Sequence, residues 1–70
     1  MEDDILIKFG NRVREERSKR DVSQEEFAEK VGVHRTYIGM VERAEKNITL
    51  KNIEKFAKAF NIPINELLDF

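Results

Sequence analysis

The sequence predicts an all-α domain of five short helices. Two patterns carry that prediction. Apolar residues recur at three- and four-residue spacing, and no stretch shows the alternation of a half-buried strand. The segments marked in this way are bounded by helix caps and breakers. Length supplies a third constraint: 70 residues make one domain, spanning 1–70, with no room for a second.

The first helix is expected over residues 4–20, where Ile5, Phe9 and Val13 follow one another at four-residue spacing. Gly10 is its weak point, and Asp21 is its stop. Ser23 followed by Glu26 is a capping box that opens the second helix. Phe27, Ala28 and Val31 form its apolar stripe, and Gly32 supplies the left-handed residue that ends it. Only Val33 and a cap at His34 precede the third helix, residues 35–43. A turn this tight makes the two helices cross steeply instead of forming an antiparallel hairpin. After a loop, Thr49 caps a fourth helix with Leu50, Ile53, Phe56, Ala57 and Phe60 on one broad face. Asn61 and Pro63 end it, and a short fifth helix follows at about 64–68.

Composition excludes several functions. There is no cysteine, so disulfides and thiolate metal sites are ruled out, and a lone histidine makes a poor metal site. No motif for a catalytic triad, HExxH or glycine-rich phosphate loop is present, so neither an enzyme nor a cofactor is expected. No small-molecule ligand is evident. The apolar runs are too short for a membrane span and the MEDD start is unlike a signal peptide, so a cytoplasmic protein is expected. Net charge is −1, which does not indicate a nucleic-acid partner by itself. The distribution is uneven, however. Acids gather at Glu2, Asp3 and Asp4 and again at Glu66 and Asp69, whereas Arg12 to Arg20 hold five bases against two acids.

The third helix carries the functional signal. At 100° per residue, Tyr37, Ile38 and Val41 share one arc and point inward. Arg35, Thr36, Gly39, Met40 and Arg43 take the opposite arc, where a solvated helix would ordinarily carry Glu, Lys, Gln or Ala. That mixture suits a DNA major groove. Arginine can donate twice to guanine, threonine can bond a base edge, and methionine can touch a thymine methyl. Gly39 would let the helix backbone lie close to the bases. The order of capped helix, tight turn and exposed-face helix is that of a helix-turn-helix, whose second helix enters the groove. An ordinary solvated helix with an incidental Gly and Met is the competing reading.

The stretch SQEEFAEKVGVHRTYIGMVER resembles the helix-turn-helix of the Cro/repressor-like (Xre-type) family of transcription regulators. The likeness runs from about Phe9 to Leu68 through Gln24, Ala28, Gly32-Val33, Ile38, Glu42 and Asn61-Ile62-Pro63. RTYIGMVERAEKNITL is most similar to the controller proteins of restriction–modification systems. The resemblance implies a lambda-repressor-like five-helix fold and a transcription regulator that binds double-stranded DNA as a homodimer, with RNA polymerase as a candidate further partner. It assigns base reading to Arg35 and Thr36, assisted by Met40 and Tyr37. The Tyr37 ring belongs to the core arc, and the role of its hydroxyl is open. Gln24, at the first turn of the second helix, is implied to hold a DNA phosphate; bonding to its own backbone is the alternative. His34 is a cap or a phosphate contact. Arg43, Lys46 and Asn47 are candidates for gripping the same strand, and Lys46 could equally be a solvated charge. Arg17 and Glu42 are implied to form a structural ion pair between the first and third helices.

Ile64, Leu67, Leu68 and Phe70 exceed what a helix this short needs for docking on its own domain. They are assigned to a dimer interface, the alternative being that all four complete the monomer core. A two-fold pair would set two third helices about 34 Å apart over a roughly palindromic site. Three positions depart from the family pattern: Glu16 where Leu is common, and Asp21 and Ala44 where Gly is common. Ala44 adopts a left-handed conformation only at a cost, so Asn47 is expected to make the turn after the third helix. The alternative functions are a phage-type repressor, an antitoxin-like regulator, or a helical protein-interaction module on the same fold.

Overall fold

A computed structural model describes residues 4–70; Glu2 and Asp3, part of the acidic start, lie outside the described residues. Five helices follow in order: α1 Asp4–Lys19, α2 Gln24–Val31, α3 Arg35–Glu42, α4 Leu50–Phe60 and α5 Ile64–Leu67. This is the all-α, lambda-repressor-like arrangement, with α2 and α3 as the helix-turn-helix. Among the described residues, no helix is long and apolar enough to cross a membrane.

The predicted caps form. Ser23 Oγ accepts from the Glu26 N–H at 3.0 Å while Glu26 Oε1 accepts from the Ser23 N–H at 2.8 Å, a reciprocal box. These bonds to Ser23 hold the Glu26 carboxyl below its ordinary pKa. Thr49 Oγ1 caps α4 through the Asn52 N–H. The helix ends share one device. A left-handed residue follows α1, α2, α3 and α4, namely Asp21, Gly32, Ala44 and Asn61. At each of them the next residue's N–H reaches back to a carbonyl five residues earlier, as in Glu45 to Met40 at 2.8 Å. The expectation that Asn47 would make the turn after α3 is therefore corrected: Ala44 itself takes φ 62°. Its own N–H bonds Val41 O at 3.0 Å, and this closed pair of bonds outweighs the methyl's steric cost.

Phe56 is the centre of the core. The Phe27 ring meets it edge-on at 5.2 Å, Phe9 lies at 6.1 Å, and Phe60 stacks on Phe27 at 4.1 Å. Val13, Ile38, Val41 and Leu67 close around these rings and are fully or almost fully buried. Ile5, expected on the α1 stripe, is instead 56% exposed, because the first turn of α1 lies beyond the core that Phe9 and Val13 reach.

Two features of α1 set how it packs against the other helices. The first is Gly10: a Cβ there would stand 2.7 Å from Val41 O and 2.8 Å from Glu42 O. Only glycine lets the two backbones approach so closely. The second is the buried Glu16 carboxylate, which accepts from Arg20 at 2.7 Å and Lys19 at 3.3 Å, with Arg12 at 3.6 Å. Arg20 in turn donates to Phe60 O and Arg12 to Glu66 O, so this cluster ties α1 to the ends of α4 and α5. Burial pushes Glu16 up, but the bonds from Arg20 and Lys19 and the nearby positive charges outweigh it, holding the carboxyl below its ordinary pKa.

Candidate nucleic-acid interface

His34 starts α3 as its N-cap. Its Nδ1 accepts from the Thr36 N–H at 3.0 Å, which leaves the Nε2 edge to carry the ring proton and face outward. The cap reading of His34 therefore describes its position, and the outward Nε2 edge is compatible with the phosphate role too. Arg35 and Thr36 follow, both exposed. The Arg35 guanidinium has one distant partner, Glu25 at 3.8 Å, and both side chains are more than 60% exposed. Such a pair contributes little and yields readily to another ligand.

The rest of the expected outer arc divides. Met40 is half-buried. Gly39 is buried, which corrects its placement as an open approach point at the centre of the reading face. Long side chains from neighbouring positions cover it: a Cβ at 39 would lie 3.0 Å from Arg43 Nη1 and 3.7 Å from Gln24 Oε1. What Gly39 provides is room for those two side chains. Arg43 is exposed, and its fork is held by Glu45, Nε to Oε2 at 3.1 Å and Nη2 to Oε1 at 3.2 Å. That pairing raises the Arg43 pKa further. Lys46 and Asn47 are exposed on the following loop, with Lys46 Nζ 5.9 Å from the centre of the Tyr37 ring.

Behind α3, Glu42 joins three helices. Arg17 grips its carboxylate with both arms, Nε to Oε2 at 2.8 Å and Nη2 to Oε1 at 3.0 Å, and also donates to Val22 O at 3.0 Å. The bond to Glu42 raises the Arg17 pKa despite burial. Gln24 Nε2 donates to Glu42 Oε1 at 3.0 Å, and Arg14 Nη2 donates to Glu42 O at 3.2 Å. The expected Arg17–Glu42 pair is thus formed. Gln24 proves to be part of the same network, with one amide hydrogen committed to Glu42.

Tyr37 packs edge-on to Phe56 at 6.3 Å, and its hydroxyl accepts from Asn52 Nδ2 at 2.9 Å. Neither Asn52 nor Glu45 was evident as a site residue from the sequence. Asn52 touches Tyr37 only once α3 and α4 have docked, so no local pattern announces it.

Charge is divided around this face. Glu25, Glu26 and Glu29 line an open groove with Ser23, Val33, His34 and Arg35. Those carboxylates disfavour a phosphate there, whereas Gln24 at the start of α2 and Arg43 and Lys46 beyond the end of α3 carry hydrogen-bond donors. Among the described residues, no cluster of side chains suited to a metal ion is found.

The model of the helix-turn-helix family matches residues 13–67. This chain belongs to the helix-turn-helix family. The control protein C.BamHI of Bacillus amyloliquefaciens is 45% identical over 71 residues, covering 100% of this chain and 88% of its own. The crystal structure of the restriction–modification controller protein C.AhdI from Aeromonas hydrophila superimposes with a TM-score of 0.85 at 47% identity, over 89% of this chain and 90% of that one. SinR, described as the master regulator for biofilm formation, was solved in complex with DNA. It matches with a TM-score of 0.80 at 31% identity, over 87% of this chain and 98% of that one. The resemblance to Xre-type regulators, and within them to controller proteins, is borne out.

At the C-terminus of this helix-turn-helix protein, Leu67 is 0% exposed and completes the core of its own domain, so its assignment to a dimer interface is corrected. A four-residue helix docks through one side chain, and Leu67 is that anchor. Ile64, Leu68 and Phe70 are 38%, 36% and 47% exposed. Phe70 lines a groove with Lys8, Asn11, Arg12 and Glu15 of α1.

Proposed function

We propose that this chain is a sequence-specific DNA-binding transcription regulator that acts as a homodimer on a roughly palindromic operator, as the controller protein of a restriction–modification system. It acts by binding and not by catalysis, in the cytoplasm, with RNA polymerase as a further partner. The observation that carries this reading is the division of labour on α3. Arg35 and Thr36 project from a capped helix start with no structural bond from their side chains beyond one exposed acid, while Glu42 on the same helix is anchored to α1 and α2. A rigid helix with an uncommitted arginine is what base reading requires. Gln24, His34, Arg43, Lys46 and Asn47 serve the phosphates, and Met40 assists at the bases. Exposed Ile64, Leu68 and Phe70 form the apolar contact of the dimer. The controller proteins and the DNA-bound SinR named above support the same reading.

The test is selection of binding sites from random duplex DNA, repeated with Arg35→Ala. An inverted repeat should be enriched by the wild type, and Arg35→Ala should relax preference at one position per half-site, a loss of about 1–3 kcal/mol in discrimination. Affinity should fall steeply with salt. If no repeat is enriched and a protein partner covers Arg35 and Thr36 instead, the chain is an interaction module on the same fold.

A further inference from the structure

α5 is a single turn, and little of its pose comes from within. A helix of four residues gains almost nothing from its own hydrogen bonds. Its start at Pro63 carries no side-chain cap, and Leu67 is its one buried residue. An anchor at one side chain fixes where such a turn sits but leaves its rotation open. A second attachment lies off that anchor: Arg12 Nη2 donates to Glu66 O at 2.8 Å. The arginine is itself held. Its Nη1 bonds Glu15 Oε1 at 3.2 Å, its Nε lies 3.6 Å from the buried Glu16 carboxylate, and its side chain is 17% exposed. With two carboxylates of α1 fixing the guanidinium, the remaining arm reaches α5 from a preset position.

We infer that Arg12 is a positioning residue for self-association: it sets the rotation of α5 and so the apolar surface that meets a second copy of the chain. The inference rests on the homodimer reading above. Ile64 and Leu68 lie one turn apart, both partly exposed, on the turn whose Glu66 carbonyl Arg12 holds. Phe70 lines the same groove as Arg12. Arg20 supplies the contrast. It bonds the same Glu16 carboxylate and donates to Phe60 O at 2.8 Å, but α4 is 11 residues long and buries Phe56, Ala57 and Phe60. α4 keeps its pose without that bond, whereas α5 turns about Leu67. A protomer without the Arg12 strut must then order Ile64, Leu68 and Phe70 at the moment of association, which costs affinity.

The experiment is sedimentation equilibrium on the full chain, comparing the wild type with Arg12→Met, Arg12→Lys and Arg20→Met. The temperature is one at which circular dichroism shows all four folded. Melting temperatures are taken alongside at one low protein concentration. Methionine keeps the length of the stem and removes the donors. Lysine keeps the charge beside Glu16, but its shorter, single-point ammonium cannot hold the α1 carboxylates and Glu66 O together. Both Arg12 variants should weaken the dimer about tenfold or more, with small changes in melting temperature. Arg20→Met should melt lower and dimerise within about twofold of the wild type, since its bond serves α4. Arg12 variants that dimerise like the wild type, or an Arg20→Met that loses as much association as they do, overturn the inference alone. A wild type that stays monomeric at every concentration overturns the homodimer reading and the inference with it.

Discussion

Gly10→Ala is the substitution for which local preference and tertiary structure predict opposite signs. In the interior of a helix, exchanging Gly for Ala stabilises by about 1 kcal/mol. Here the new methyl would stand 2.7 Å from Val41 O and 2.8 Å from Glu42 O, and must retreat by about 0.7 Å from the nearer one to reach ordinary contact at 3.4 Å. Both obstacles are backbone atoms on α3, so no side chain can swing aside. The remaining route is to move one helix from the other. Overpacking of this kind costs about 1–3 kcal/mol, which leaves a net loss of up to about 2 kcal/mol after the propensity gain. For a domain this size each kcal/mol lowers the melting temperature by about 4–8 °C. Thermal melts followed by circular dichroism, at one fixed protein concentration, decide the matter. Gly39→Ala is the internal control. Its methyl meets only the tip of Arg43 at 3.0 Å, a flexible group, so stability should hold or rise by up to about 1 kcal/mol. If Gly10→Ala melts above the wild type, the close approach of α1 and α3 does not govern the fold as argued.

Arg17→Ala should destabilise by about 2–4 kcal/mol in urea titration, because it strands a nearly buried Glu42; Gln24 and Arg14 remain to soften the loss, and an unchanged midpoint would contradict the role given to the pair. Ala44→Gly should stabilise by about 0.5–1 kcal/mol, since relief of the left-handed strain exceeds the extra freedom of the unfolded chain. A lower melting temperature for that variant would argue against the αL turn. Glu16 has a folded pKa below its unfolded one, so its contribution is full above the unfolded pKa and lost as pH falls through the folded value. Glu16→Gln should therefore flatten the acid limb of the stability profile, and an unaltered slope below pH 5 would show that the cluster with Arg20, Lys19 and Arg12 does not titrate with folding.

Signals that are local in sequence translated well into structure. Ser23 and Glu26 are three residues apart and satisfy each other without help from the rest of the fold, and Gly32 ends α2 by its own backbone freedom. The exposed start of α3 was equally legible, because Arg35 and Thr36 depend only on helical angle. What failed depends on neighbours that angle alone does not contain. Gly39 falls on the outer arc, yet Gln24 from another helix and Arg43 from beyond the end of α3 cover it. Leu67 looked like one of several spare apolar residues because a helix of one turn has no periodicity to separate its faces. Glu16 reads as a polar departure, whereas three bases, among them an Arg20 bonded to the Phe60 carbonyl, make it an internal tie. Ala44 was judged by its strain without the two bonds that hold it.

The clamp on Glu42 has a consequence for how such a protein diversifies. The contacts that fix the pose of α3, from Gly10, Arg14, Arg17 and Gln24 to the Glu42 end of the helix and from its buried Ile38 and Val41, all lie on the side away from Arg35 and Thr36. Nothing in that set relies on the side chains of Arg35 or Thr36. Exposed substitutions with no structural partner usually change stability by less than about 0.5 kcal/mol. Positions 35 and 36 can therefore vary across many residue types while the scaffold keeps its geometry. Recognition can be rewritten in two side chains, and a lineage of such regulators can part company with its old operators without passing through an unfolded ancestor.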